Sequence, residues 1–462
     1  MNKDLKLHHQ TPITKSEIII DSVKRFLRRG AISHVSKIVG KMHPADIARL
    51  INEVEKKDRF VIFELIQDVK VKAATIVEIE EKAMMEMLNE MPLDEIIAIL
   101  HEVPSDKRAD IIGKMSEEKA KDLLNMMKIE DSKEIKGLLK YAEETAGGIM
   151  TPQFFALSEN TTVQQAIKAL QKAKDVEMVF YIYVTDDKGR LVGVISLRQL
   201  LLVPPRKFLR DIMVRDVMSV TTDMDQEEVA RKVARYNILA IPVVDKENRL
   251  VGIITVDDII DVIKEEATED IYKMAGLNLD ERALDPTFRS IRRRLPWLYV
   301  NLVTAILAAS VVGLFTNTIQ AAAILAAYMP IVAGMGGNAA TQTLAVIIRG
   351  IALGELTLEN ARKALLKETA VGFINGVATG VVMAVIAYLW NGNYMLGVAV
   401  GLAMIINLFV AGLAGTLMPF ILRAYKIDPA VASSVFVTTF TDISGFFSFL
   451  GIATLLIHYI AV

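Results

Sequence analysis

Two long stretches of this 462-residue chain carry no charged side chain: Leu295 to Ile348 and Thr369 to Leu422. Each is too long for a single membrane-crossing helix of about 20 residues and about right for two. A third apolar stretch, Pro429 to Val462, supplies one more, so the expected spans are 296–317, 322–348, 369–390, 394–422 and 430–460. The rest of the chain is of another kind. Residues 1–284 hold 49 of the 55 acids and 43 of the 53 Lys and Arg, a net charge of −6. Residues 285–462 hold 6 acids and 10 bases, a net of +4, nearly all at segment ends. The mean hydropathy of +0.35 averages over this division. A chain so segregated is a soluble acidic half joined to a membrane half.

Charge placement orients the spans. Arg289, Arg292, Arg293 and Arg294 precede the first; Arg349, Arg362, Lys363 and Lys367 lie between the second and third; Arg423 and Lys426 lie between the fourth and fifth. The opposite loops, around Thr316–Gln320 and Asn391–Asn393, carry no charge. The basic side is therefore expected to be cytoplasmic and the C-terminus outside. Trp297, Tyr388, Trp390, Tyr394 and Tyr425 fall near the expected interfaces. The N-terminus is polar, without the apolar core of a signal peptide, so the soluble half is expected in the cytoplasm. Without cysteine, disulfides and thiolate metal sites are excluded, and the six His form no metal-binding pair. Any metal is then a hard cation held by oxygen.

Inside the spans one carboxylate stands out. Asp442 lies near the middle of the fifth, where an acid costs on the order of 2.5–3.5 kcal/mol on insertion scales. At helical spacing Ser434, Thr438 and Asp442 form a stripe, expected to present oxygen ligands to a cavity; Thr441 and Gly445 lie beside it. A symmetric dimer would place two such carboxylates about one axis, suited to a partly hydrated dication such as magnesium. The bland alternative is a protonated Asp hydrogen-bonded within the bundle. In the second span, Pro330 and Gly334, Gly336 and Gly337 precede Asn338. Broken backbone there would let Asn338 and free carbonyls face Asp442; close packing through small residues is the alternative.

The soluble half contains a repeat. DDKGRLVGVISLRQLL (186–201) matches DKENRLVGIITVDDII (245–260), each after an apolar strand, Val179–Val184 and Ala240–Val244. Strand–helix–strand–strand–helix in tandem resembles a pair of CBS modules. Such pairs often hold adenosine ligands through a Gly, a Ser or Thr and an Asp. The second unit keeps Gly252, Thr255 and Asp258, whereas the first has Gly193 and Ser196 but Gln199 in place of Asp. The resemblance thus permits one site, for ATP or another adenine nucleotide. Residues 15–140 read as helical throughout, with a recurring unit at Pro44, Pro92 and Pro104, each followed two residues on by an acid. Proline in the first helical turn and an acid near the helix N-terminus suit each other. The result is a helical-repeat scaffold.

Residues 257–270 carry seven acids and one lysine. Asp258, Asp261, Glu265 and Glu269 fall close to one helical face, and Asp106 and Asp110 make a similar pair in the helical domain. A charge run is usually a solvated face. Placed between a sensor and a bundle, it would repel its neighbours until dications bridged it.

Taken together, these features resemble the MgtE family of magnesium channels and transporters, over nearly the whole chain from about residue 15. The motifs that carry the likeness are Pro330…Gly336-Gly337-Asn338…Gln342, Asp428-Pro429-Ala430…Asp442…Gly445, and EEATEDIYKMAGL at 265–277. The resemblance implies a homodimer with its pore on the two-fold axis and Asp442 binding magnesium. It implies that cytoplasmic magnesium closes the pore by bridging the helical domain, the CBS pair and a connecting plug helix. Asp258, Asp261, Glu266, Glu269 and Asp270 are the ligands implied on the connecting helix, with Glu227 in the second CBS unit, Gly147 before the first, and Asp106 and Asp110 in the helical domain. Two positions depart from the family pattern. Asn237 stands where an Asp is frequent, implying a weaker sensor site, and Ala340 replaces a frequent Gly, implying tighter local packing.

The expected architecture is multidomain: an all-α helical-repeat N-domain, an α/β CBS pair and an all-α polytopic bundle of five transmembrane helices. The expected boundaries are a flexible N-terminus 1–14, N-domain 15–140, linker 141–148, CBS units 149–206 and 207–263, connecting helix 264–288 and membrane domain 289–462. The expected activity is magnesium uptake across the cytoplasmic membrane. A broader divalent carrier, of cobalt or manganese, and a CBS-type membrane sensor or scaffold without flux are the alternatives. An enzyme is not expected, since no nucleophile–base pair lies in the spans. An acidic soluble half gives no support for nucleic-acid binding; the expected partners are lipid, magnesium, a nucleotide and a second copy.

Overall fold

The computed structural model describes residues 15–173, 180–277, 281, 286–425, 427–430 and 433–460. The N-terminal segment 1–14, Val179, Lys426 and most of 278–285 lie outside the described residues. The chain divides into two compact units, Met1–Ile260 and Asp261–Val462.

The first unit opens with ten helices among the described residues, from Lys15–Arg28 to Ile129–Leu138. They bury Ile47, Ile51, Ile62, Phe63, Ile76, Leu88, Ile96 and Leu100 completely or nearly so. The prolines of the repeated unit do not all sit in the first helical turn. Pro44 does, behind an N-cap in which His43 Nδ1 accepts from the Ala45 amide at 3.3 Å. Pro92 and Pro104 instead take the N-cap position in extended backbone, and Asp94 and Asp106 fall in the turn that follows. A fixed proline φ suits either place, because neither needs the missing N–H.

Two three-stranded sheets follow, built alike. β1 (Ala156–Ser158), β2 (Tyr181–Thr185) and β3 (Leu191–Ser196) lie in that order, as do β4 (Val220–Thr221), β5 (Ala240–Val244) and β6 (Leu250–Thr255). In each the first pair is parallel and the second antiparallel, with Gly193 opposite Val184 and Gly252 opposite Val243. The segment before each unit crosses to the other's sheet. Thr151 bridges Ile253, and Val214 bridges Val194. The glycines follow from this crossing. A Cβ on Gly252 would lie 2.7 Å from Met150 Sδ, and one on Gly193 would lie 2.4 Å from Met213 Sδ. The helix after β6 is a single one, Val256–Met274, which runs across the expected domain boundary at residue 263.

The second unit contains five helices long and apolar enough to cross a membrane: Thr287–Gly313, Leu325–Ala352, Ala361–Asn391, Tyr394–Ala424 and Ser433–Leu455. The first starts earlier than expected, so Arg289 and Arg292 to Arg294 belong to it. The fifth is shorter than expected, and Ile457–Ile460 forms a separate turn of helix. Of the two readings of the second span, broken backbone is not found: it runs as one helix through Pro330 and the glycines. Pro330 is the sixth residue of this helix, so it forgoes one bond to the turn before it, and Gly336 makes room for a side chain of the fourth span. The third and fourth spans pack backbone to backbone, with a Cβ on Gly376 falling 2.9 Å from Ile405 Cα.

Candidate cation sites

The fifth span carries Asp442, which is half-buried. Among the described residues its carboxylate makes no hydrogen bond or ion pair. The hydroxyl protons on its stripe are already engaged. Thr438 donates to the carbonyls of Ser434 at 2.8 Å and Val435 at 3.0 Å, and Ser434 donates to the Met274 carbonyl at 2.8 Å. Thr438 bonds back to its own helix, as hydroxyls in apolar surroundings do, and Ser434 bonds to the end of helix Val256–Met274. The oxygens still accept, so Ser434 and Thr438 offer lone pairs rather than protons. Asn338 is exposed on the second span, without a hydrogen-bond partner among the described residues. Its neighbour Gly337 faces Thr438, whose Cγ2 would lie 3.8 Å from an added Cβ.

Sequence reasoning missed Asn407. It is the single amide of the stretch 394–422, which was the signal available. Fully buried in the fourth span, it donates from Nδ2 to the Val332 carbonyl at 2.8 Å and accepts from Ser444 Oγ at 3.0 Å. It thereby clasps the second and fifth spans on either side of the fourth. Gly336 and Gly445 give it room: a Cβ on either would come within 2.2 and 2.7 Å of Nδ2. Ala340 packs nearby with Ala411 and Val437 in a small buried cluster.

In the second unit, near the C-terminal end of helix Val256–Met274, Lys273 Nζ lies 2.5 Å from Asp428 Oδ2 and also pairs with Glu269. Asp270 stands close by. Burial pushes its carboxyl up, and the Asp428 charge adds to this. Asp261 is exposed and pairs with Lys264 at 3.1 Å, and Glu266 is half-buried.

The first unit holds a second concentration of acids. Asp106 is 7% exposed, and its Oδ1 is enclosed without a partner. Burial and then the Asp258 charge raise its carboxyl to about 6. Lys107 Nζ lies 3.0 Å from Asp258 Oδ1, while Asp258 Oδ2 accepts from Thr255 Oγ1 at 2.8 Å. Burial opposes the charge on Lys107, but Asp258 outweighs it and raises the ammonium above its ordinary range. Asp110, one turn on, is exposed. Gly147 is buried, its amide donating to the Thr222 carbonyl at 2.9 Å, with Tyr141 Cδ1 2.6 Å from an added Cβ. Glu227 sits in the first turn of helix Gln226–Tyr236 and pairs with Arg231 at 3.6 Å. Asn237 ends that helix in left-handed backbone at φ 50°, a place Asn tolerates well.

Among the described residues no three acidic or histidine side chains converge closely enough to form a metal shell. The junction still fits a cation in one respect, because the enclosed Asp106 oxygen lacks any donor. At the nucleotide position, Thr255 and Asp258 bond to each other and Asp258 also meets Lys107. In the first CBS unit, Ser196 caps the next helix and Gln199 Nε2 donates to the Ile212 carbonyl at 2.7 Å, closing the equivalent place.

Family comparisons agree with this division. The family model for the MgtE divalent cation transporter matches residues 329–452, that for the MgtE intracellular N domain residues 42–144, and that for the CBS domain residues 146–205 and 209–265. A magnesium transporter of Bacillus subtilis (strain 168) is 33% identical over 449 residues, 96% of this chain and 99% of that one. A magnesium transporter of Thermus thermophilus is 39% identical over 322 residues, 69% of this chain and 71% of its own length. Among solved structures, the cytosolic domain of the Mg2+ channel MgtE in complex with ATP is 36% identical, with a TM-score of 0.50, covering 53% of this chain and 99% of that one. Similarity at this level along nearly the whole length makes the chain a member of the MgtE family, with its intracellular N domain, paired CBS domains and membrane domain in that order.

Proposed function

We propose that the protein carries magnesium across the cytoplasmic membrane and is not an enzyme. The carrying observation is Asp442, an acid in mid-span that no described group of its own chain answers. A carboxylate at that depth needs a counter-charge, and a dication passing between two copies supplies one. We read the transporting unit as a homodimer in lipid, with Asp442 at the shared axis and the oxygens of Thr438 and Ser434 and the amide of Asn338 along the path. In this reading the soluble domains lie in the cytoplasm and the C-terminus outside, which the basic span ends support.

Cytoplasmic magnesium regulates the flux in this reading. Asp106, Asp110, Gly147, Glu227 and Asp258 serve the first unit, and Asp261, Glu266, Glu269 and Asp270 the end of the acidic helix. A dication there would neutralise acids that otherwise repel one another. An adenine nucleotide would bind the second CBS unit at Gly252, Thr255 and Asp258; the ATP complex of the similar cytosolic domain supports this.

The test is magnesium influx into proteoliposomes holding the wild type or Asp442→Ala. Flux in the first and loss in a folded second is the expected result. Equal flux in both would move the ion site away from Asp442. Preference for cobalt or manganese over magnesium in competition would remove magnesium as the cargo.

A further inference from the structure

The junction of the helical domain with the second CBS unit contains a cation of the chain's own. Lys107 Nζ lies 3.0 Å from Asp258 Oδ1, and the Asp258 side chain is only 12% exposed. The other Asp258 oxygen accepts from Thr255. Asp106, the residue before Lys107, is 7% exposed, and its Oδ1 is enclosed with no partner. Two carboxylates and one ammonium thus share a place in which the acids are largely closed to water and the lysine is partly exposed, and one carboxylate oxygen there has no hydrogen-bond partner. An enclosed carboxylate oxygen in that condition is costly.

We propose that Lys107 is a tethered competitor for the regulatory cation, holding Asp258 when free magnesium is low and yielding it when a dication joins Asp106 and Asp258. The inference rests on the reading of these acids as regulatory ligands. It follows from charge and geometry. An ammonium satisfies one oxygen of one carboxylate, whereas a dication takes oxygens from several groups at once. Lys107 reaches Asp258 and leaves Asp106 Oδ1 unanswered; a dication would answer both. The lysine therefore does two things. It keeps the junction loosely closed without metal, and it raises the magnesium concentration needed to close it fully. A lysine that merely glued the domains together would do only the first.

The test uses the full chain in detergent, with limited proteolysis of segment 100–140 followed across a magnesium titration. In Lys107→Met, cleavage without magnesium should quicken, and the midpoint of protection should fall by about tenfold. Lys107→Arg should keep both near wild type, since it keeps the charge. Lys107→Gln repeats the test with a polar side chain should the Met variant fold poorly. A midpoint in Lys107→Met or Lys107→Gln that is unchanged or higher overturns the competitor, while the wild type's own magnesium protection leaves the regulatory reading standing. Absence of magnesium protection in the wild type overturns that reading, and the competitor with it.

Discussion

In the first unit an enclosed acid is answered from within the chain, whereas in the membrane unit the acid in mid-span is answered by nothing among the described residues. Asp258 has Thr255 on one oxygen and Lys107 on the other. Asp442 has neither, although hydroxyls crowd its helix and a buried amide lies in the neighbouring span. The difference follows from the two settings. A lysine near water reaches an acid and keeps its stem against apolar surface. At membrane depth a lysine would itself need a partner, and the nearby hydroxyl protons go to carbonyls and an amide oxygen instead. The internal pair suits a contact that must be broken and remade. The unanswered acid suits a place that something mobile must visit.

Asp442→Asn is the strongest way to break that contrast. It removes the charge and keeps the shape, so proteoliposome flux should fall to background while the melting temperature in detergent stays level or rises. A fall in melting temperature would mean that Asp442 is answered after all, by a group of its own protein.

Asp106 gives the next largest effect, through pH. Its carboxyl is raised to about 6 from an ordinary 3.8, so folding favours the protonated form. The stability it contributes is fully present below pH about 3.8 and is lost as the pH rises through about 6, by up to about 3 kcal/mol. Asp258 and Asp110 add to the shift and Lys107 opposes it. In chelator, unfolding measured from pH 4 to 7 should show Asp106→Asn gaining on the wild type by that amount. A difference that does not change with pH would mean that Asp106 is better answered than its surroundings indicate.

The clasp at Asn407 sharpens the membrane side. Asn407→Leu loses the bonds to Val332 and Ser444, and should lower stability by about 1–2 kcal/mol. Gly336→Ala should do similar harm by pushing the amide away. Thermal unfolding in detergent reads both, and an unaltered midpoint would reduce the clasp to a packing contact. Smallest of all, Asn237→Ala places an ordinary side chain in left-handed backbone and should cost about 0.5–1 kcal/mol. It should do so with or without magnesium, which separates the helix-ending role of Asn237 from any sensor role.

Much of this was legible in the chain. The glycine-to-glycine repeat foretold two sheets of one topology, because strand, turn and helix signals are local. The charge-free stretches foretold five spans for the same reason, with ends off by several residues where Arg289 to Arg294 proved helical. The second span left two readings open, and the structure shows close packing at Gly336. Proline and glycine suggested broken backbone, but Gly336 is small for Asn407's sake, a contact 71 residues away and unreadable from the span itself. Helical spacing puts Ser434 and Thr438 on the stripe of Asp442, and only the fold shows that their protons are already used.

The sequence by itself determined the division into soluble and membrane halves, the paired modules, the helical scaffold and the place of Asp442, since each is fixed by composition or by spacing within one segment. Only the tertiary structure decided that Lys107 meets Asp258, that Asn407 joins three spans and that Asp106 is enclosed. Those facts depend on which distant surfaces share a place from which water is excluded. There a charge or a hydrogen-bonding group must find its partner in another part of the chain or go without one.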